Sequence, residues 1–135
     1  MILAALMLQF AGPLDVAGVW ETGNGRAHVE IAETADGSIR GQIIWYASYE
    51  QDLAEGRDTS DTILGKVLLE DFVRSDDKWR RGKIHDLRND RTYRSALSRS
   101  DADTISVEGC LAVFCRAQQW TRVPPDQQIR LQPTD

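Results

Sequence analysis

Two histidines, two cysteines and a scatter of carboxylates are the residues of this chain that could do chemistry. His85 precedes Asp86, the juxtaposition from which an imidazole general base and its orienting carboxylate are built. On a strand, however, neighbours point to opposite faces, so these two do not hydrogen-bond as a catalytic pair. His28 alternates away from Val29 and reads as outward. Glu21, Glu30, Glu70, Asp71 and Glu108 fall in strand-like segments, and any two meeting inside a barrel would perturb each other's pKa. No spacing in the sequence pairs them. Gly23-Asn24-Gly25 matches a nucleotide-binding loop only at its first two glycines, and it leads into a strand where that motif needs a helix. There is no nucleophile elbow and no Walker sequence. The sequence therefore assigns no catalytic residue, no metal site and no cofactor.

Cys110 and Cys115 stand five apart. Two thiolates with no second pair do not make a zinc site. A disulfide is expected if the protein is exported, and it requires a turn through Leu111-Ala112-Val113-Phe114, since residues five apart on a straight strand face opposite ways. The other reading is two buried, reduced thiols.

The aromatic residues point to a different kind of site. Trp20, Trp45, Tyr46, Phe72, Trp79, Tyr93, Phe114 and Trp120 are spread over the strand-like segments. Ligand pockets are mostly apolar and aromatic, with a few polar groups fixing orientation. Ile43, Trp45, Tyr93, Val107 and Gln119 are candidate wall residues, with Arg94 and Gln119 as the polar groups if they face inward. A packed core without a cavity is the competing reading.

These residues need strands to position them. Asn24-Gly25 and Asp36-Gly37 supply the positive φ angles of tight hairpin turns. Further polar turns at Ser75–Asp77, Asn89-Asp90 and Ser100–Asp103 divide the chain into eight segments: 16–22, 26–34, 38–46, 66–73, 78–86, 91–98, 104–110 and 114–123. Ala27, Val29 and Ile31 share one face; Ile39, Gly41, Ile43 and Trp45 share another. Period two with turns at this spacing indicates an antiparallel sandwich or barrel. Gly41, Gly82 and Gly109 fall inside strands, where glycine often marks a bulge or bend. Gly18-Val19-Trp20 opens the first strand and Trp120-Thr121-Arg122 closes the last. That favours a closed, up-and-down barrel of eight antiparallel strands, its floor capped by Trp20 with the Arg122 guanidinium across the indole. The one long irregular stretch, Ala47–Gly65 after the third strand, is a candidate lid.

The chain has 135 residues, enough for one domain. Its 16 basic against 21 acidic residues, a net charge of −5, argue against a nucleic-acid binder. Lys78, Arg80, Arg81, Lys83, Arg88, Arg91 and Arg94 nevertheless crowd one hairpin. This is either a solvated outer face or a surface for an anionic membrane or an acidic protein. Residues 1–15 read as a signal peptide without its basic n-region, or as an apolar arm packed on the domain; small residues follow at Ala11, Gly12 and Ala17. The domain proper is 16–123, and 124–135 is expected to be a loose tail.

With these residues in view, the chain resembles the domain of unknown function 2147 family, small exported proteins of Gram-negative bacteria. The resemblance runs from Val16 to Val123 and is carried by Gly18-Val19-Trp20, Ala27–Ile31, Asp36–Trp45, Leu64–Leu68, Trp79–Ile84, Thr92-Tyr93, Val107–Cys110 and Cys115–Arg122. It implies a calycin-like, lipocalin-like barrel and a periplasmic location, and no established activity. The chain departs from the family pattern in three places. Arg57-Asp58-Thr59-Ser60 replaces an Asn-Pro-Asp type segment. His85-Asp86-Leu87 stands where tyrosine and then aspartate-proline are usual, and Asp90 replaces a turn glycine.

The expectation is thus a periplasmic barrel that binds a small apolar or amphipathic, lipid-like molecule and carries out no reaction, its oligomeric state open. The location would be cytoplasmic if the N-terminal segment is not a signal. The alternatives are an isomerase or hydrolase working in the same cavity, and an envelope interaction protein using the basic Lys78–Arg94 surface.

Overall fold

A computed structural model describes residues 12–57 and 63–129. The strands are β1 (Gly18–Glu21), β2 (Ala27–Glu33), β3 (Ile39–Tyr46), β4 (Val67–Glu70), β5 (Val73–Arg74), β6 (Trp79–Asp86), β7 (Arg91–Asp101), β8 (Thr104–Leu111) and β9 (Phe114–Arg122). Among the described residues one α-helix, α1 (Ala47–Ala54), follows β3, and a 3-10 turn (Pro125–Gln127) follows β9.

All pairings are antiparallel and run in the order β4-β3-β2-β1-β9-β8-β7-β6-β5. Two contacts close the barrel. β1 meets β9 with Trp20 opposite Arg122 and Glu21 opposite Thr121. β4 meets β6 with Leu69 opposite Ile84. The nine segments amount to eight strands, because β4 and β5 are one strand broken at Asp71, whose φ of 64° lies in the left-handed region. Both halves pair with β6. The break turns Phe72 into the core, where it is 3% exposed. β6 bulges in answer at Arg81 (φ 58°), between Trp79 and Gly82.

The turns follow the local chemistry. Gly25 (φ 71°) and Gly37 (φ 84°) take the positive angles that a side chain would strain. Asp90, standing where the resembled family has glycine, takes φ 55° itself, which a short polar side chain tolerates.

The barrel is filled at one end. Trp20, Val29, Ile31, Leu69, Trp79, Leu97 and Ile105 are 1% exposed or less, with Trp120 at 2%. The N-terminal segment seals this floor. The Trp79 indole donates to the Leu14 carbonyl at 3.0 Å, the Trp20 indole to the Val16 carbonyl at 2.9 Å, and the Arg99 amide to the Pro13 carbonyl at 2.8 Å. An arm packed on the domain is therefore seen for residues 13–16. The rest of the apolar N-terminal run, residues 1–11, lies outside the described residues, as do 58–62 of the long loop and 130–135 of the tail. Residues just after β9 are tied down: the Val123 amide donates to the Val19 carbonyl at 2.9 Å.

The cation over the floor tryptophan is not Arg122. Arg122 is exposed, and it is the Arg99 guanidinium of β7 that stands 5.6 Å from the Trp20 ring centre. Arg99 is held there by a bond from Nη1 to the Asp15 carbonyl at 3.0 Å, so the floor contact depends on the N-terminal segment and not only on the closing strand pair.

Candidate functional site

The other end of the barrel is open. A cavity of about 830 Å³ occupies it. Its walls are Ile43, Leu68, Ile84 and Val107, with Tyr46 and Tyr93 beside them and Trp120 among the lining. The rim carries Asn24 and Arg26 from the β1–β2 turn, Leu87 and Arg88 from the β6–β7 turn, and Leu111 and Phe114 from the β8–β9 hairpin, with Arg116 and Gln118 on β9 itself. β9 records the change from filled to hollow. From Phe114 to Gln119 every residue is exposed, on both faces, and burial begins only at Trp120. The inward side chains above Trp120 meet open space.

Ile43, Tyr93 and Val107 line this cavity. Trp45 does not. The β2–β3 ladder slips between His28 and Val29, so that Val29 faces Ile43 while His28 faces Trp45. The extra residue, Ile44, inverts the facing of the residues after it. Tyr46 turns inward in place of Trp45, and Trp45 stacks on His28 with ring centres 4.5 Å apart. His28 is covered in consequence, 7% exposed, with Nε2 3.2 Å from Glu21 and its Nδ1 unpartnered, as is the Trp45 Nε1. A slip of one residue is invisible to a period-two reading of β3.

Gln119 also points away; Gln118 takes its place. Gln118 shares the face of Trp120, whose indole donates to its Oε1 at 3.1 Å. The signal was present in the sequence, since a buried tryptophan sets the parity of its strand. Arg94 is not an inward polar group either: it bonds to the Ala112 carbonyl across the β8–β9 turn. Cys110 and Cys115 face each other across that hairpin and form a disulfide, with Leu111 opposite Phe114 and Ala112 turning at φ 56°. The turn through Leu111–Phe114 that a bridge requires is thus a two-residue hairpin loop, and neither cysteine is free. Its tip leaves Leu111 66% exposed, Val113 85% and Phe114 79%.

The stretch after β3 begins as a fixed element. α1 inserts Tyr49, 1% exposed, into the core, its ring edge-on to Tyr46 at 5.5 Å. Of the candidate lid, residues 47–54 are therefore a helix anchored on the core, and none of them lines the cavity of about 830 Å³.

His85 and Asp86 do not act together. The Asp86 carboxylate accepts from its own turn: the Arg88 amide at 3.2 Å, the Asn89 amide at 3.2 Å and the Asn89 side chain at 2.9 Å. The Asn89 side chain foremost, then these amides and the nearby Arg91, hold the carboxyl below its ordinary value despite some desolvation. His85 sits at the cavity edge with both nitrogens engaged, Nε2 2.6 Å from Glu70 and Nδ1 2.8 Å from the Thr92 hydroxyl. A carboxylate only accepts, so Nε2 carries a proton toward Glu70, while Nδ1 meets a Thr92 hydroxyl that can either donate or accept. A carboxylate–imidazole–hydroxyl chain of this kind can polarise a hydroxyl, but neither Glu70 nor Thr92 lines the cavity. Here it ties β4, β6 and β7 together beside the Asp71 break. The other basic residues of this hairpin are partly neutralised: Arg80 meets Asp77 at 3.3 Å and Lys83 meets Asp71 at 3.2 Å. Glu108 lies near the two cysteine sulfurs, and with those sulfurs bonded to each other the trio offers a metal no thiolate.

The family model for an uncharacterized protein conserved in bacteria, the domain of unknown function 2147, matches residues 18–122, from the first residue of β1 to the last of β9. The chain belongs to that family. No protein of curated description matches it. Among solved structures, protein HP1028 from the human pathogen Helicobacter pylori, which belongs to the lipocalin family, superposes with a TM-score of 0.62 at 13% identity, over 84% of this chain and 86% of that one. At that identity the likeness is one of fold: this domain of unknown function 2147 protein is a lipocalin-like barrel.

Proposed function

We propose that this protein is a periplasmic binding module that holds a small apolar or amphipathic, lipid-like molecule in the open half of its barrel. The observation that carries the reading is the cavity itself. About 830 Å³ lies within the roughly 300–1,000 Å³ typical of small-molecule sites, and its deep walls are aliphatic and aromatic. The lipocalin-like fold supports the same reading. Binding is favoured over turnover because the groups able to move protons at the cavity edge, His85 and Asp86, are already committed to neighbours outside it or to their own turn.

Export is supported by the apolar run at 1–12 and by the disulfide, which persists in oxidising compartments. The floor contacts add a condition. Cleavage after Ala11 or Gly12 leaves Pro13–Val16 in place, whereas cleavage after Ala17 removes the partners of Trp20 and Trp79. N-terminal sequencing of protein recovered from a periplasmic extract should begin at or before Pro13; a start at Gly18 would contradict this.

The binding claim is tested by native mass spectrometry of the purified protein and by tryptophan fluorescence during titration with twelve-carbon amphiphiles. The expected result is saturable binding that Val107→Trp, placed in the cavity wall, abolishes while the fold stays intact. Absence of any ligand, bound or titrated, would overturn the reading.

A further inference from the structure

We propose that the ligand carries an anionic oxygen headgroup, a carboxylate or phosphate, received by Arg26 and Arg88 at the barrel mouth, with Arg116 lining the same cavity. The inference rests on the cavity being a binding site. Three guanidiniums from three separate parts of the chain, the β1–β2 turn, the β6–β7 turn and β9, line one cavity. Arg26 and Arg88 both also line a second recess of about 470 Å³ beside α1, together with Tyr46 and Ile63.

None of the three has a carboxylate partner among the described residues, although acidic residues outnumber basic ones by 21 to 16. Lys66, Arg81 and Arg122 likewise lack one, so what marks these three is their convergence on one cavity; four of the other described cations are paired. Arg57 meets Asp52 at 2.7 Å, Arg80 meets Asp77, Lys83 meets Asp71 and Arg99 meets Asp15. Among the described lining residues the one carboxylate, Asp86, is occupied by its own turn. Among the described lining residues, three arginines against one carboxylate give a positive mouth on a protein of net charge −5. A local field opposed in sign to the whole draws anions to that spot and not to the rest of the surface.

The order of polarity along the cavity sets the ligand's shape. The cations stand at the rim, exposed and hydrated, and the aliphatic walls formed by Ile43, Leu68, Ile84 and Val107 lie within. An amphiphile entering tail first buries its chain against those walls and leaves its head among the guanidiniums. Arginine's planar fork takes a carboxylate or phosphate through two hydrogen bonds, which a neutral alcohol does not match.

The test uses the full chain and four probes of equal tail length, each below its micelle concentration: dodecanoate, dodecyl phosphate, dodecanol and dodecyltrimethylammonium. Tryptophan fluorescence reads the affinity. At least one of the two anions should bind tenfold or more tighter than dodecanol, and the trimethylammonium probe more weakly than dodecanol. The anion that binds tighter identifies the headgroup as carboxylate or phosphate, and either supports the proposal. The Arg26→Gln/Arg88→Gln variant alters exposed side chains, so it should fold and keep its dodecanol affinity while losing the anion preference. Dodecanol or the cation binding as tightly as both anions overturns the headgroup and leaves the binding reading standing. Failure of all four to bind overturns both.

Discussion

A Cβ built on Gly82 would lie 2.2 Å from the Phe72 ring, closer than any packed carbon tolerates. Gly82 thus ends the β6 bulge and is also the gap into which the break at Asp71 delivers Phe72. Gly82→Ala should destabilise the protein by about 1–3 kcal/mol through overpacking, read as a lower urea midpoint, and Phe72→Leu should recover part of the loss in the double variant. Asp90 gives the opposite expectation. Its φ of 55° is one that glycine adopts freely, so Asp90→Gly should leave stability unchanged or raise it by up to about 1 kcal/mol. A loss there would show that the aspartate side chain contributes more than the backbone strain it tolerates.

At the scale of elements, the two hairpins of the rim are held by different means. β8–β9 is closed covalently. A bridge between residues five apart constrains a small loop, worth about 2 kcal/mol in the chain-entropy treatment. The Cys110→Ser/Cys115→Ser variant should lose about that much by urea denaturation. Phe114→Ser, at a tip that is 79% exposed, should leave stability nearly untouched and weaken binding of a long-tailed probe. β6–β7 is closed by Asp86, whose carboxyl is held below its ordinary 3.8. A depressed carboxyl contributes stability that is fully present above that ordinary value and is lost as the pH falls through the lower folded one. Hydrogen exchange at the Arg88 and Asn89 amides should accordingly stay slow at neutral pH relative to Asp86→Asn, and the two proteins should converge only once the pH has fallen below the carboxyl's lowered folded value. The N-terminal segment is the third element. A chain beginning at Ala17 leaves two buried indole donors without acceptors, at about 1–3 kcal/mol each. It should melt well below one beginning at Gly12.

The whole molecule is a barrel divided along its length, packed below and hollow above. The strand count, the hairpin turns and the closing pair at Trp20 and Arg122 were legible in the sequence, because turn residues and period-two alternation are local properties. Ile43, Tyr93 and Val107 line the cavity: Ile43 precedes the slip in β3, and Tyr93 and Val107 lie in stretches of unbroken register. Trp45 and Gln119 were misplaced for one shared reason. Facing is a matter of parity, and a single inserted or miscounted residue inverts it for everything downstream. What the chain determines by itself is therefore the barrel and its approximate strands. Tertiary structure alone decides that α1 is anchored on the core by Tyr49, that Arg99 and not Arg122 covers Trp20, and that three arginines from distant segments line one cavity. Those facts depend on where the closed sheet carries each segment in space, and a hollow is the absence of neighbours, which no local pattern encodes.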